Sequence, residues 1–183
     1  VIANSLCSYE YIKSQIPNRI VLISQQHLNW ERAKRERKEL KVCGYIGGPS
    51  STASRIYGKI GETLKSIGLD FKTCFDFRSS EDAVNFYKQI DLLIVGVWKG
   101  DGMYKTPAKL INAASFGIPS IADRLEGYKE FEGFYVPFVS MDNMLKEAEK
   151  FKNENYYNNF SEKIIKKAEE YHISRIAELY KPL

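Results

Sequence analysis

The segment Asp91–Val97, DLLIVGV, is the most apolar run of the chain. A strand with no polar alternation is buried on both faces, and the layers that bury it in an α/β chain are helices. The neighbouring segments fit that demand. Lys41–Gly48 (KVCGYIGG) is a short apolar run closing on paired glycines, followed by a helical pattern in STASRIYGKIGETLKSIG. Asp70–Phe77 is a second β-rich run, and SSEDAVNFYKQI behind it offers a capping serine, first-turn acids and apolar positions at helical spacing. After Asp91–Val97, a helix begins near Pro107 and stops at Gly117 (AKLINAASFG), PSIAD forms the fourth strand, and a looser stretch, RLEGYKEFEGF, leads to a fifth over Tyr135–Val139. Met141–Lys152 and Phe160–Tyr180 read as helices. Regular alternation of this kind implies parallel βαβ units with right-handed crossovers, hence a doubly wound parallel sheet.

The first forty residues read differently. VIANS, LCSYEYIKSQI and RIVLI form a short strand, helix, strand unit, and the charged run ERAKRERKELK follows it. Glu31, Glu36 and Glu39 interleave Arg32, Lys34, Arg35, Arg37 and Lys38, the pattern of a solvated helix or connector. An anionic membrane face is the other surface such a run could meet. The expected division is 1–40 for the small unit and connector, 41–155 for the sheet domain, and 156–183 for closing helices.

Several function classes are excluded early. Lys plus Arg number 27 against 23 Asp plus Glu, a net charge of +4 that gives no strong nucleic-acid signal. Cys7, Cys43 and Cys74 stand apart without a CxxC pair, which reads as reduced thiols in a cytosolic protein. His27 and His172 lie in no metal-ligand spacing and read as surface or helix-packing residues, so no metal is expected. No apolar run approaches the roughly 18 residues of a membrane span. The chain begins on Val1 in what already looks like a strand, which suggests a piece of a longer protein.

In open parallel sheets ligands bind beyond the carboxyl ends of the strands. Gly47 and Gly48 end the first strand of the main sheet, and Ser50, Ser51 and Thr52 precede the helix carrying Arg55, so backbone N–H groups and hydroxyls there can face an anion. The spacing is neither GxGxxG nor a P-loop. The loop WKGDGMYKTPAKL is more informative. Lys105 and Lys109 are four apart, a spacing that places both ammonium groups at one helix start beside Thr106 and the free N–H groups. Cations at a helix N-terminus are unfavourable unless an anion sits between them, and phosphate is the expected one.

KLINAASFGIPSIADRLEGYKEF resembles the donor-side signature of GT-B glycosyltransferases of the group 1 type, roughly E-A-x-A-x-G-x-P-V-x-A followed by a Gly and an acidic residue, with Asn112–Ala122 covering it. VIANS with its helix and RIVLIS resemble the end of that family's acceptor domain, FRSSEDAVNFYKQIDLLIVG its segment before the nucleotide loop, and YHISRIAELY its closing helix. The resemblance implies a Rossmann-like donor-binding domain, most of the amino-terminal acceptor domain missing, and transfer of a sugar from a nucleotide-sugar donor. The diphosphate would lie between the loop holding Lys105, Thr106 and Lys109 and the first-strand exit at Gly47, Gly48 and Ser50, with Arg55 or Lys59 the nearest cation there. The family's usual glutamate pair falls at Tyr104 and Asn112, neither of them acidic; Asn112 keeps a carbonyl and an amide for ribose hydroxyls. Lys105 and Lys109 resemble the K-x-x-x-K variant of the loop in divergent members. Without a DxD motif, helix dipole and lysines replace a metal, and no cofactor beyond the nucleotide-sugar substrate is expected. The catalytic base is unknown and would come from the missing domain. Polysaccharide biosynthesis, a cytoplasmic location and peripheral association with the inner membrane face complete the expectation. The other readings are an epimerase-like enzyme acting on nucleotide sugars, or a non-catalytic α/β binding module.

Overall fold

A computed structural model describes residues 1–34, 37, 39–48, 51–96 and 105–182, with the backbone alone at 51–53. Two sheets form. The smaller pairs β1 (Ile2–Ala3) and β2 (Val21–Leu22) in parallel, joined by α1 (Leu6–Gln15), which Ser5 caps by accepting a hydrogen bond from the Ser8 N–H. The larger holds β3 (Val42–Ile46), β4 (Asp70–Cys74), β5 (Leu92–Val95), β6 (Ser120–Asp123) and β7 (Val136–Phe138) in the order β4-β3-β5-β6-β7, every pair parallel. This is the doubly wound sheet that the sequence predicts.

Side-chain alternation along the strands divides the core in two. Leu93 and Val95 of β5 point with Ile46 and Ala122 into the layer formed by α3 (Ser80–Tyr87), α4 (Ala108–Ser115) and part of α6 (Glu154–Ala168). Leu92 and Ile94 point with Cys43, Tyr45 and Ile121 into the opposite layer, built by α2 (Ser51–Lys65) and α5 (Met141–Lys150). All four β5 side chains are buried, as a strand in mid-sheet demands. Val136 is only half-buried, because β7 is an edge strand. Gly44 of β3 has a packing reason: a Cβ there would stand 2.5 Å from Ile90 Cγ2 and 2.9 Å from Phe86 Cζ.

Three elements depart from the sequence reading. The loose stretch after β6 holds a 3₁₀ segment, Glu126–Phe131, that buries Tyr128 and Phe131. The last helix is not continuous over Phe160–Tyr180. Asn153 caps α6 at Tyr156, a 3₁₀ turn spans Glu169–Tyr171, and His172 in extended conformation caps α7 (Ile173–Tyr180) through Ser174 N–H. The connector is not a solvated helix among its described residues. The Arg37 side chain is buried, its Nε 3.1 Å from Asp91 Oδ1, while Asp91 Oδ2 accepts hydrogen bonds from the Lys41 and Val42 N–H groups. This pair closes the amino-terminal ends of β3 and β5.

The first unit reaches the sheet domain at the 3₁₀ segment, where Ser24 Oγ donates to Glu130 Oε2 at 2.9 Å and Lys129 meets Glu10 at 3.6 Å. The chain from His27 to Ala33 is tied down on both sides. Leu28 N–H donates to Asn112 Oδ1, Asn29 Nδ2 donates to Ser115 O, His27 N–H donates to Tyr171 O, and Arg32 grips Glu169 with two nitrogens. His27 and His172 are therefore not surface residues. They meet within this junction, ring centroids 5.4 Å apart, and burial pushes His27 down to about 4.

Candidate functional site

From β3 the chain passes to β4 on one side and then returns to β5 on the other, so the order reverses between β3 and β5. At such a switch point the connections leave in opposite directions and a crevice opens beyond the strand ends. Gly47 lies there, its N–H donating to Cys74 O across the top of the sheet.

Lys109, in the first turn of α4, reaches that point from the opposite helical layer. Its Nζ donates to Tyr45 Oη at 3.1 Å and stands 4.6 Å from the Tyr45 ring centroid. Among the described residues no carboxylate pairs with it. A Cβ on Gly47 would lie 2.4 Å from Tyr45 Oη and 2.8 Å from Lys109 Nζ, so the absent side chain gives the ammonium room. The start of α4 adds a second cationic element. Side chains cap α1, α3, α5, α6 and α7, through Ser5, Ser79, Ser140, Asn153 and His172, whereas α4 starts on Pro107 with no side-chain cap and no acid in its first turn. Its first N–H groups carry the positive end of the helix dipole without a protein partner of that kind.

The remaining residues singled out in the sequence scatter around this point. Gly48 is exposed, and a Cβ there would touch nothing within 4 Å. Arg55 is exposed on α2, Lys105 is exposed, and Thr106 is half-buried. Ser50 and Tyr104 lie outside the described residues. Lys105 precedes the Pro107 cap, so the helical spacing proposed for Lys105 and Lys109 does not hold. Asn112 is half-buried, and its carbonyl accepts the Leu28 N–H at 2.8 Å, which ties α4 to the connector. The structure thus brings together Gly47 and Lys109.

It also adds residues that the sequence reading missed. Tyr45 and Tyr57 stack with ring centroids 3.6 Å apart, and the Tyr57 hydroxyl donates to Gly96 O at 2.9 Å and accepts from Gly96 N–H at 3.1 Å. Burial, with the neighbouring Tyr45, pushes the Tyr57 phenol far above its usual value, and burial does the same for Tyr128 beside Asp123. Both phenols stay protonated at neutral pH, and Tyr57 uses its hydroxyl to hold Gly96. The only sequence signal was an aromatic residue two places before the glycine that ends β3. Among the described residues no cluster of three or more His, Cys, Asp or Glu could hold a metal ion, and no helix is long and apolar enough to cross a membrane.

No protein-family model matches the chain, and no curated protein matches its sequence. Solved structures do. TarM superposes with a TM-score of 0.65 at 14% identity over 97% of this chain. HepE of Anabaena, solved with UDP and glucose, gives 0.68 at 10% identity over 100%, and the accessory secretory proteins 1, 2 and 3 of Streptococcus pneumoniae give 0.60 at 13% identity over 97%. The chain spans 42%, 61% and 41% of those chains. These likenesses show a GT-B glycosyltransferase-like fold.

Proposed function

We propose that this GT-B glycosyltransferase-like chain is the donor-binding part of an enzyme that transfers a sugar from a nucleotide-sugar donor, with the diphosphate seated between Gly47 and the start of α4. The observation that carries the reading is the Lys109 ammonium at the switch point, unpaired by any described carboxylate and beside an uncapped helix start. A diphosphate supplies the anion that both features lack, and as leaving group it is stabilised where its charge develops. HepE's complex with UDP and glucose supports the ligand class. Residues 41–155 then serve as the donor domain and 156–183 as the return toward residues 1–40, whose β1-α1-β2 unit is the end of an acceptor domain. Arg37 ties the connector to the donor domain, its guanidinium buried against Asp91.

A donor-binding module without transfer activity is the second reading. Its support is Asn112, where a glutamate would face ribose in the family and where the carbonyl is instead engaged by Leu28.

Thermal melts with UDP, GDP and ADP against their nucleosides test the site. At about 100 times its dissociation constant, the right diphosphate adds about 2.7 kcal/mol, or about 5 to 11 °C for a chain of this size. Equal shifts with nucleoside and diphosphate would refute a phosphate seat. Product formation from labelled UDP-sugars by the longest available chain separates transferase from binding module.

A further inference from the structure

The stacked tyrosines at the sheet end have no part in the phosphate seat as proposed, yet their geometry bears on Lys109. Tyr57, from α2, is held at its hydroxyl by both the N–H and the C=O of Gly96. Tyr45, from β3, lies flat against that ring, with an interplanar angle of 18°. A ring pinned in this way is a rigid surface. Lys109, which comes from the helical layer across the sheet, meets the Tyr45 hydroxyl at 3.1 Å, its ammonium 4.6 Å from the ring centroid.

A free lysine side chain samples many rotamers, and confining it on ligand binding carries an entropic cost. A lysine already held in place avoids that loss. The hydroxyl and the ring face both attract the ammonium, and neither neutralises it as a carboxylate would. Gly47 completes the arrangement, because a methyl group at its Cβ position would push on both Tyr45 Oη and Lys109 Nζ. The contact therefore fixes the position of a charge while leaving the charge available.

We infer that Tyr45 is a positioning residue for anion binding: backed by Tyr57, it holds the Lys109 ammonium at the exit of β3 and β5, where the diphosphate of a nucleotide ligand arrives. This rests on the proposed donor-binding function and adds to it a residue outside the resemblance and outside the glycine and lysine loops.

The test is calorimetric titration of the full chain with UDP and with uridine, in wild type, Tyr45→Phe, Lys109→Ala and the double variant. Tyr45→Phe keeps the stack and the ring face and removes one hydroxyl. UDP binding is expected to weaken about tenfold in Tyr45→Phe, the scale of a hydrogen bond to a charged group, with uridine binding unchanged. In the Lys109→Ala background the same substitution is expected to have no further effect, since the hydroxyl acts through the ammonium. Gly47→Ala, which leaves every polar group present, is expected to weaken UDP and spare uridine in the same way. The role of Tyr45 is overturned if Tyr45→Phe binds UDP as wild type does while Lys109→Ala does not. It is equally overturned if Tyr45→Phe loses UDP and uridine alike, the mark of a structural defect, or if the two single losses multiply in the double variant. A wild-type chain that binds uridine as tightly as UDP overturns the phosphate seat itself, and this inference with it.

Discussion

The two ends of the main sheet treat charge in opposite ways. At the amino-terminal end, Arg37 and Asp91 have side chains only 5% and 2% exposed, and the carboxylate also takes the Lys41 and Val42 N–H groups. Tyr157 covers the pair, its ring 5.7 Å from the guanidinium and its hydroxyl donating to Asp91 O. At the carboxyl end, Lys109 is half-buried and meets a neutral tyrosine. The closed end uses its charges to pin the connector to β3 and β5, whereas at the open end no described carboxylate meets the charge, as the proposed diphosphate seat requires. Burial of an ion is tolerable only when its partners are complete, so completeness of partners separates a structural charge from a ligand-facing one.

The comparison breaks most easily at the closed end. Asp91→Ala removes one member of a buried pair and leaves Arg37 without its carboxylate and two strand N–H groups without their acceptor, so a loss of about 3 to 5 kcal/mol is expected in urea unfolding. A loss under about 1 kcal/mol would mean that water or another group reaches Arg37, and the contrast between the ends would disappear. Between the ends, Ile94→Ala opens a cavity in the layer under α2 and should cost about 2 to 5 kcal/mol. A loss below about 0.5 kcal/mol would place β5 at an edge and remove the switch point with it.

How much of this could be read beforehand follows the range of the interactions. Asp91–Val97 announced a buried strand because burial on two faces leaves its mark on consecutive residues, and the helices flanking it followed from caps and stops such as Ser79, Pro107 and Gly117. Gly47 and Lys109 were legible as candidates because strand ends and helix starts are local features. Their joining through Tyr45 was not, since Lys109 and Tyr45 are 64 residues apart. Asn112 shows the same limit: the N–H that its carbonyl accepts, from Leu28, is 84 residues away. Arg37 looked like one charge among many in a polar run, and nothing nearby in sequence marks its side chain for burial.

His27 sharpens the contrast as a third case, a buried ionisable group whose Nδ1 has no hydrogen-bond partner among the described residues. Burial, aided by His172 and Arg32 and opposed by Glu169, lowers it from 6.5 to about 4. Between those values the unfolded chain takes up a proton that the folded chain refuses. The stability contribution is therefore complete above about pH 6.5 and falls as pH drops toward about 4, by about 2 kcal/mol at pH 5. Glu169, held low by Arg32, works in the same direction, and Glu130, pushed up by burial, works against it. Urea unfolding at about pH 7.5 and about pH 5 reads the difference, and His27→Gln isolates it. If the variant keeps the whole pH dependence, the junction is governed by the carboxylates instead.

The smallest effect on the fold is expected at the open end, and there its smallness is the point. Lys109→Ala leaves Leu110, Ile111, Ala113 and Ala114 of α4 buried as before and removes a cation from a helix start, where cations are mildly unfavourable. The Tyr45 hydroxyl loses a donor while its ring stays stacked on Tyr57. The unliganded melt should therefore move by less than about 0.5 kcal/mol in either direction. The shift produced by a nucleoside diphosphate should shrink in the same variant, because the charge it removes has no described carboxylate to serve within the fold. A Lys109→Ala chain that is destabilised as heavily as Asp91→Ala would show that this ammonium, too, holds the structure together, and the two ends of the sheet would then differ in exposure alone. Retention of the full diphosphate shift would move the anion to another part of the crevice.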